Sequence, residues 1–241
     1  MKKALIGFVA ALLTAGAARA GTLADLAVVD RATGERIPVY SHRGRLYVPG
    51  APGAKYSLLV ANKTGERVLA VVSVDGVNVV TGETANPGQS GYVLDPQGSV
   101  DIAGWRKSMS EVAAFYFTPL PDSYAARTGR PASVGVIGVA VFREHQPLRQ
   151  PQVLRHEAPA APSADVSARA MPKERLGTGH GEREASEATW TDFRRASAAP
   201  AELITLYYDS RANLVARGII PGRRYAEPNP FPGFRFAPDP G

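Results

Sequence analysis

The sequence contains no cysteine. Disulfide bonds are therefore excluded, and so is a lipid-modified cysteine at the end of a signal sequence. Without disulfides, a stable fold has to come from the burial of apolar side chains. Residues 21–241 are numerous enough for a single core with some appended segments.

Long hydrophobic runs are also scarce, and the clearest one lies near the N-terminus, at residues 4–13. It follows Lys2 and Lys3 and precedes Ala18-Arg19-Ala20, which has small residues at both specificity positions of a cleavage site. The run is shorter than the roughly 20 residues that cross a bilayer as a helix. Residues 1–20 are therefore predicted to be a signal peptide that is cleaved before Gly21. The mature protein is expected in the periplasm or outside the cell, without a transmembrane segment.

The excess of positive charge is small once the signal peptide is removed. The formal net charge is +6, but Lys2, Lys3 and Arg19 belong to the signal peptide, which leaves 25 cations, 22 acids and a net charge of +3. This excess is weak evidence for a polyanionic partner, and an exported protein encounters little nucleic acid. The expected partner is an envelope glycan or an envelope protein, with no nucleic acid and no cofactor.

Histidine, the usual base in nucleophilic catalysis, occurs only four times. His42 lies in an early loop, and His145, His156 and His180 lie within or at the edge of a low-complexity segment. No Gly-x-Ser-x-Gly motif is present in the sequence. The sequence therefore favours a non-enzymatic binding or envelope-structure module.

The alternative is an enzyme that acts on envelope polysaccharide through paired carboxylates. The candidate acids in the strand-rich region are Asp75, Glu83, Asp95 and Asp101. Turns already explain Asp75 and Asp95, and an outward strand position explains Asp101. The acids of such an enzyme are therefore not identified, and no catalytic residue is predicted.

Apolar runs typical of strands extend from Tyr40 to Phe142. Asp75-Gly76 between two such runs favours a two-residue hairpin loop, and Asp95-Pro96-Gln97-Gly98 favours a type I turn in a second hairpin. Several short strands at about ten-residue spacing are typical of an antiparallel sandwich or barrel. We therefore predict an all-β fold, with an antiparallel β-sandwich over residues 21–143.

Residues 144–200 differ in composition, because alanine, proline, arginine, glutamate and serine dominate. Such a segment buries too little apolar surface to offset its chain entropy, so a disordered linker is predicted. It contains LGTGHGERE (176–184), which lacks the lysine of a phosphate-binding loop. His180, Glu182 and Glu184 could supply metal ligands, but a glycine-rich loop would not hold them in place. The stretch is interpreted as a mobile tether without a metal site.

Apolar residues return at 201–220, where the pattern predicts a strand at 203–208, a turn at 209–213 and a second strand at 214–220. An isolated hairpin is marginally stable in water, so this C-terminal β-hairpin is expected to dock on the sandwich. Residues 221–241 form a tail of prolines and aromatic residues. Both an ordered and a disordered interpretation of this tail stay open.

Two loop-like stretches, 104–108 and 122–130, interleave aromatic residues with cations. Aromatic rings stack on sugar rings, and arginine pairs with carboxylates or phosphates. The predicted ligand-binding residues are Trp105, Arg106, Tyr124 and Arg127. The alternative is that Trp105 closes one end of the sandwich core and that the cations are ordinary surface residues.

Four stretches resemble an uncharacterised family of exported bacterial β-rich proteins: SVDGVNVVTG, SGYVLDPQGSVDIAGWRKS, DSYAARTGRPASVGVIGVAVF and YYDSRANLVARGII. The resemblance covers most of residues 40–142 and the predicted hairpin, but not the predicted linker. It implies a single unit made of a sandwich and a distal hairpin. It implies no activity, and no functional residues follow from it.

Overall fold

The computed structural model of the protein describes residues 21–145 and 175–222. The predicted signal peptide, residues 146–174 of the predicted linker and residues 223–241 of the predicted tail lie outside the described residues. The predictions for these three segments therefore stay predictions.

The described residues form short strands and two short helices. The strands are β1 (Ala24–Asp30), β2 (Tyr40–His42), β3 (Arg45–Gly50), β4 (Lys55–Asn62), β5 (Val68–Val74), β6 (Val77–Asn78), β7 (Tyr92–Leu94), β8 (Ser99–Ile102), β9 (Gly104–Arg106), β10 (Glu111–Pro119), β11 (Val136–Arg143), β12 (Leu176–Ala185) and β13 (Glu202–Ser210). The helices are α1 (Tyr124–Arg127) and α2 (Arg211–Ala216), and single 3₁₀ turns occur at Leu120–Asp122 and Pro131–Ser133.

The strands form two sheets that pack against each other. The first sheet has the order β1-β4-β10-β12, with β8 paired to β4 and β9 paired to β10. The second sheet has the order β2-β3-β13-β11-β5-β6, with β7 also paired to β5. Paired strands are antiparallel except β3 and β13, which are parallel. The predicted all-β sandwich is confirmed.

The main core lies between the sheets because the strands place alternate apolar residues on their inner faces. In β5, the even-numbered residues from Val68 to Val74 are fully buried and belong to this core. Leu69 and Val71 point to the opposite face, where they belong to a separate apolar cluster. The second sheet is therefore apolar on both faces, so its outer face has to be covered as well.

Both turns predicted in the strand region form, but they differ in what they connect. Asp75 and Gly76 have positive φ angles of 53° and 72° and join β5 to β6 in the predicted hairpin. Gln97 has φ of 57°, which fits a type II turn and not the predicted type I. That turn leads from β7 in the second sheet to β8 in the first, so the predicted second hairpin is wrong.

The stretch LGTGHGERE is a strand and not a tether, because β12 pairs along β10 at the edge of the first sheet. Its glycines permit close packing: a Cβ on Gly177 would lie 2.6 Å from Ser123 Cβ and 2.7 Å from Val134 Cγ1. The ring of Tyr116 covers Gly179 in the same way. The prediction of a disordered linker is therefore wrong for β12.

The segment that follows β12 also has a defined course. Residues 186–201, here called the strap, lead from β12 in the first sheet to β13 in the second. Phe193 of the strap packs against the apolar cluster on the outer face of the second sheet, which includes Phe142. The guanidinium of Arg195 lies 4.4 Å from the centre of the Phe142 ring. The strap thus covers apolar surface that β5 and β11 would otherwise expose.

The C-terminal segment is part of the second sheet and is not docked on it. β13 lies between β3 and β11 and confirms the strand predicted at 203–208. The second strand predicted at 214–220 is wrong, because α2 begins directly after β13. Ser210 is the N-cap of this helix, and its Oγ accepts a hydrogen bond from the Asn213 N–H at 3.1 Å.

The first described residues are fixed by a single carboxylate on β13. Glu202 accepts hydrogen bonds from the backbone N–H groups of Thr22, Leu23 and Ala24 at 2.5, 2.8 and 3.1 Å. Burial raises the pKa of Glu202, but these bonds and that of the Thr22 hydroxyl lower it more, so the net pKa shift is downward. The negative charge of Glu202 therefore stabilises the position of β1 beside the second sheet.

We predict that Glu202→Gln lowers the free energy of unfolding at pH 7 by about 1 kcal/mol, since bonds to a charged acceptor are replaced by weaker ones at a partly exposed site. Because the folded-state pKa is depressed, this contribution is present above the unfolded pKa and disappears as pH falls through the folded pKa. Denaturant unfolding at pH 7 and pH 3 measures it. Glu35→Gln, at an exposed site, is the control. An equal loss at both pH values would contradict the prediction.

The ordered state of LGTGHGERE is tested by Gly177→Ala. In a mobile tether this change would leave stability unchanged or slightly increase it. In β12 the new methyl group meets the fully buried Ser123 and Val134, so we expect a loss of about 1–3 kcal/mol in unfolding free energy. Gly65→Ala is the matched control, because a Cβ there has nothing within 4 Å.

Candidate functional site

The structure separates Arg106 from the other three predicted ligand-binding residues, Trp105, Tyr124 and Arg127. Trp105 and Arg106 are neighbours on β9, and their side chains point to opposite sides of the strand. Trp105 lies in the main core, whereas the Arg106 guanidinium contacts Tyr92 and the strap. Tyr124 and Arg127 lie on α1. Consecutive residues in a strand cannot both face one ligand, which is why the predicted set separates.

Trp105 is a core residue and not an exposed platform. Its side chain is 2 % exposed and packs edge-on against Phe115, with ring centroids 4.7 Å apart. The role of a stacking surface is therefore wrong for Trp105, and the alternative interpretation of this residue is confirmed. Its indole Nε1 is buried and has no hydrogen-bond partner among the described residues.

Two half-exposed rings lie beside Trp105. The Tyr124 ring is 4.8 Å from the Trp105 ring and 5.2 Å from the imidazole of His180. His180, on β12, lies nearly parallel to Trp105 at 6.2 Å, with 10° between the ring planes. Tyr124 is positioned by the N-cap of α1, where Ser123 Oγ accepts from the Ala126 N–H at 3.2 Å. We call Trp105, Tyr124 and His180 the ring cluster.

Cations surround the ring cluster. Burial lowers the pKa of His180, and the positive charges of Lys107, Arg127 and Arg183 lower it further. The Arg130 guanidinium lies 5.9 Å from the centre of the Tyr124 ring. His180 was missed as a site residue because its segment was interpreted as a linker, whereas Tyr124 and Arg127 were predicted.

A groove of about 1010 Å³ lies on another part of the surface, between the strap and the strands β7 and β8. Arg106 contributes to its wall, and its Nη1 donates to the Ser186 carbonyl at 2.9 Å while its Nε donates to the Tyr92 hydroxyl at 3.2 Å. Arg67 donates to the Asp192 carbonyl at 2.9 Å. These arginines hold the strap in place and thereby form the groove.

The lining of this groove includes the aromatic side chains of Trp190 and Phe193 on the strap and of Tyr92 on β7. Trp190, on the strap, is 81 % exposed, and Tyr92, on β7, is half-buried. Apolar residues of this size usually lose most of their exposure on folding, so an exposed tryptophan in a concave surface points to a ligand. Trp190 was not predicted, although a tryptophan between two threonines in a polar segment was the available signal.

The groove also carries charged groups of both signs. Asp95, Asp101 and Glu187 line it as exposed carboxylates, and Arg194 lines it as an exposed guanidinium. The guanidinium of Arg194 makes no hydrogen bond or ion pair with the described residues, although the Arg194 carbonyl accepts from the His145 N–H at 2.7 Å. These groups can donate to and accept from the hydroxyl groups of a ligand.

A carboxylate without solvent exposure lies at the centre of the molecule. Asp75 Oδ1 accepts from the Tyr208 hydroxyl at 2.6 Å and from the Gly135 N–H at 2.8 Å, and Oδ2 accepts from the Thr178 N–H at 2.8 Å. The Thr178 hydroxyl lies 2.6 Å from the hydroxyls of both Tyr208 and Tyr56. Asp75 is 0 % exposed, so no substrate reaches it and its role is structural.

Burial raises the pKa of Asp75 to about 6, while the hydrogen bonds from Tyr208, Thr178 and Gly135 act in the opposite direction. Burial and the nearby Asp75 charge raise the pKa of Tyr56 and Tyr208 well above 10, so both stay neutral hydroxyl donors. The network is therefore a set of fixed hydrogen bonds around one charge at pH 7.

Metal-ligating residues do not converge in the part of the chain that the structure describes. His180 faces the ring cluster, whereas Glu182 and Glu184 both pair with Lys55. The ligand set considered for LGTGHGERE thus does not form around one point.

Neither protein-family models, curated proteins nor solved structures gave a match to the chain. No helix in the described ranges is long and apolar enough to cross a membrane. The functional argument therefore depends on the side chains of this protein alone.

The charge on Asp75 predicts an unusual pH dependence. The folded-state pKa is about 6 against 3.8 for an ordinary aspartate, so the folded state binds the proton more tightly than the unfolded state. Its contribution to stability therefore rises as pH falls from 6 towards 3.8. We expect wild type to gain about 1 kcal/mol relative to Asp75→Asn between pH 7 and pH 5.

Denaturant unfolding of both proteins across this range provides the measurement, and the difference between them removes the titration of all other groups. Asp75→Asn is less stable than wild type at every pH, because its amide would place a donor opposite one of the present N–H donors. A difference that stays constant from pH 7 to pH 5 would contradict the elevated pKa of Asp75.

Proposed function

We propose that the protein is an exported, non-enzymatic binding module, and that its ligand is a saccharide of the cell envelope held in the groove between the strap and β7. The observation that carries the proposal is the pair of aromatic rings, Trp190 and Tyr92, in the lining of one concave surface. The C–H face of a sugar stacks on such rings and is desolvated there.

The polar residues of the groove fit the same class of ligand. Sugar hydroxyls both donate and accept hydrogen bonds, and the groove offers acceptors in Asp95, Asp101 and Glu187 and a donor in Arg194. Charges of both signs favour a neutral or mixed polymer over a strongly anionic one. The groove is open along its side, which suits a segment within a chain as well as a chain end.

The arrangement of acids supports binding over hydrolysis. A glycosidase of the usual kind needs a carboxylic acid that stays protonated near neutral pH, which requires a raised pKa. Asp75 has such a shift, but its carboxylate is buried between the sheets and fully hydrogen-bonded. It therefore cannot protonate a glycosidic oxygen.

Binding is tested with Trp190→Ala in the processed protein, against purified envelope polysaccharides in affinity electrophoresis. We expect wild type to be retarded and Trp190→Ala to lose at least about tenfold in affinity, with an unchanged unfolding midpoint, since an exposed side chain contributes little to stability. Leu203→Ala is the matched control: Leu203 is also exposed, at 66 %, but lies on β13 outside the groove.

Three outcomes overturn this proposal. Wild type that binds none of the polysaccharides contradicts the ligand class, and Trp190→Ala that binds like wild type contradicts the groove. Release of new reducing ends by wild type contradicts the non-enzymatic role and favours the polysaccharide-active enzyme instead.

A further inference from the structure

The ring cluster differs from the groove in its charge. Lys107 and Arg127 are both exposed and make no side-chain hydrogen bond or ion pair within the described residues. The guanidinium of Arg130 donates only to neutral oxygens, the Gly82 carbonyl at 3.2 Å and the Thr128 hydroxyl at 3.0 Å. Three positive charges near one pair of rings are therefore not neutralised by an acid.

Several other cations on the surface of the described residues are paired with acids, although Arg194 and Arg211 are not. Glu184 bonds both Arg31 and Lys55 at 2.5 and 3.1 Å, and Glu144 lies 3.1 Å from Arg67. Even Arg183, which also faces His180, lies 3.3 Å from Glu111. The distinctive feature of the ring cluster is that three cations without an acidic partner, Lys107, Arg127 and Arg130, lie around the same pair of rings.

The rings form a surface beside these charges. Tyr124 and His180 are half-exposed, while Trp105 beneath them is buried and supports their positions. A flat ligand face can lie against Tyr124, and the neighbouring imidazole can donate a hydrogen bond to an oxygen of the ligand.

A bound oxyanion would interact both with these cations and with the imidazole of His180. It would relieve the repulsion between uncompensated cations, and charge-assisted hydrogen bonds from arginine and lysine are the strong ones. We propose that Tyr124, His180, Lys107 and Arg127 form a second ligand site, independent of the groove, that binds an acidic sugar: its ring lies against Tyr124, and its carboxylate or phosphate lies among the cations.

The site predicts tighter binding at lower pH. The charged groups that face His180 are Lys107, Arg127 and Arg183, and all are cations that oppose its protonation. A bound anion reverses this, so protonation of His180 and anion binding favour each other. The affinity should therefore increase as pH falls through the titration of His180.

The chain offers a specific optical probe, because Trp105 and Trp190 are its two tryptophans. In Trp190→Phe, tryptophan emission comes from Trp105 alone, which lies 6.2 Å from the His180 ring. Protonated imidazole quenches a neighbouring indole, so the emission reports both His180 titration and occupancy of the site. This background also removes the Trp190 indole from the groove, so the emission comes from a residue outside the groove and does not report saccharide binding there directly.

The experiment titrates processed Trp190→Phe with glucuronic acid, glucose 6-phosphate, inorganic phosphate and glucose. We expect saturable changes in Trp105 emission with the two acidic sugars, an upward shift of the His180 titration at saturation, and no response to glucose. A response to phosphate equal to that of glucose 6-phosphate overturns the role of the Tyr124 ring. No response to either acidic sugar overturns the site.

Variants in the same background locate the binding. Lys107→Gln with Arg127→Gln should weaken binding of the acidic sugars by about tenfold or more and leave the unfolding midpoint unchanged, since both side chains are exposed. Arg211→Gln is the matched control. Arg211 is an exposed arginine on α2, a helix that packs on the second sheet in a cluster separate from the main core. Equal losses in the double variant and the control would show a general charge effect and overturn the site.

Discussion

The hydrogen-bonded carboxylate of Asp75 is the interaction on which the two sheets depend. It sits in the β5–β6 turn of the second sheet and accepts from Thr178 on β12 of the first sheet and from Tyr208 on β13 of the second. Thr178 extends the chain of hydroxyls to Tyr56 on β4. A carboxyl group without solvent is costly unless its oxygens are hydrogen-bonded, so the strands that supply the donors have to meet at this one group.

The positions of both candidate sites depend on that constraint. With Thr178 fixed, His180 comes two residues later on the same strand and reaches Trp105 and Tyr124. The strap starts where β12 ends, and it forms one wall of the groove. A single edge strand thus supplies a member of the ring cluster and the origin of the groove, although the two surfaces have different charge and different ligands are proposed for them.

The fold class was predictable because its signals are local. The alternation of apolar residues and the Asp75-Gly76 turn can each be recognised from a stretch of about ten residues, and both are confirmed. The glycines of β12 were misinterpreted because their meaning lies in distant partners: Ser123 and Val134 against Gly177, and Tyr116 against Gly179. The composition of a segment does not distinguish a glycine that permits close packing from a glycine that permits motion.

The site was predictable in part for the same reason. Trp105, Tyr124 and Arg127 were predicted from local interleaving of aromatic residues and cations, but the third ring of the cluster, His180, comes from a strand that is distant in the sequence. Trp105 failed as a platform because strand alternation sends it inward beside an outward Arg106. The second strand predicted at 214–220 failed because Ser210, the last residue of β13, is also the N-cap of α2.

The parallel pair of β3 and β13 has a consequence for how the chain reaches its fold. Leu46 pairs with Leu206, so one interior strand of the second sheet is supplied by β13, the last strand in the described part of the chain. Until that strand has been synthesised, β3 and β11 each keep an unpaired edge. Contacts of such large sequence separation form slowly, because chain entropy is lost before they are made. Without residues 202–210 the second sheet is divided into the pair β2 and β3 and the group that contains β11, β5, β6 and β7. Joining the two parts requires contacts such as Leu46 with Leu206, which lie 160 positions apart in the sequence.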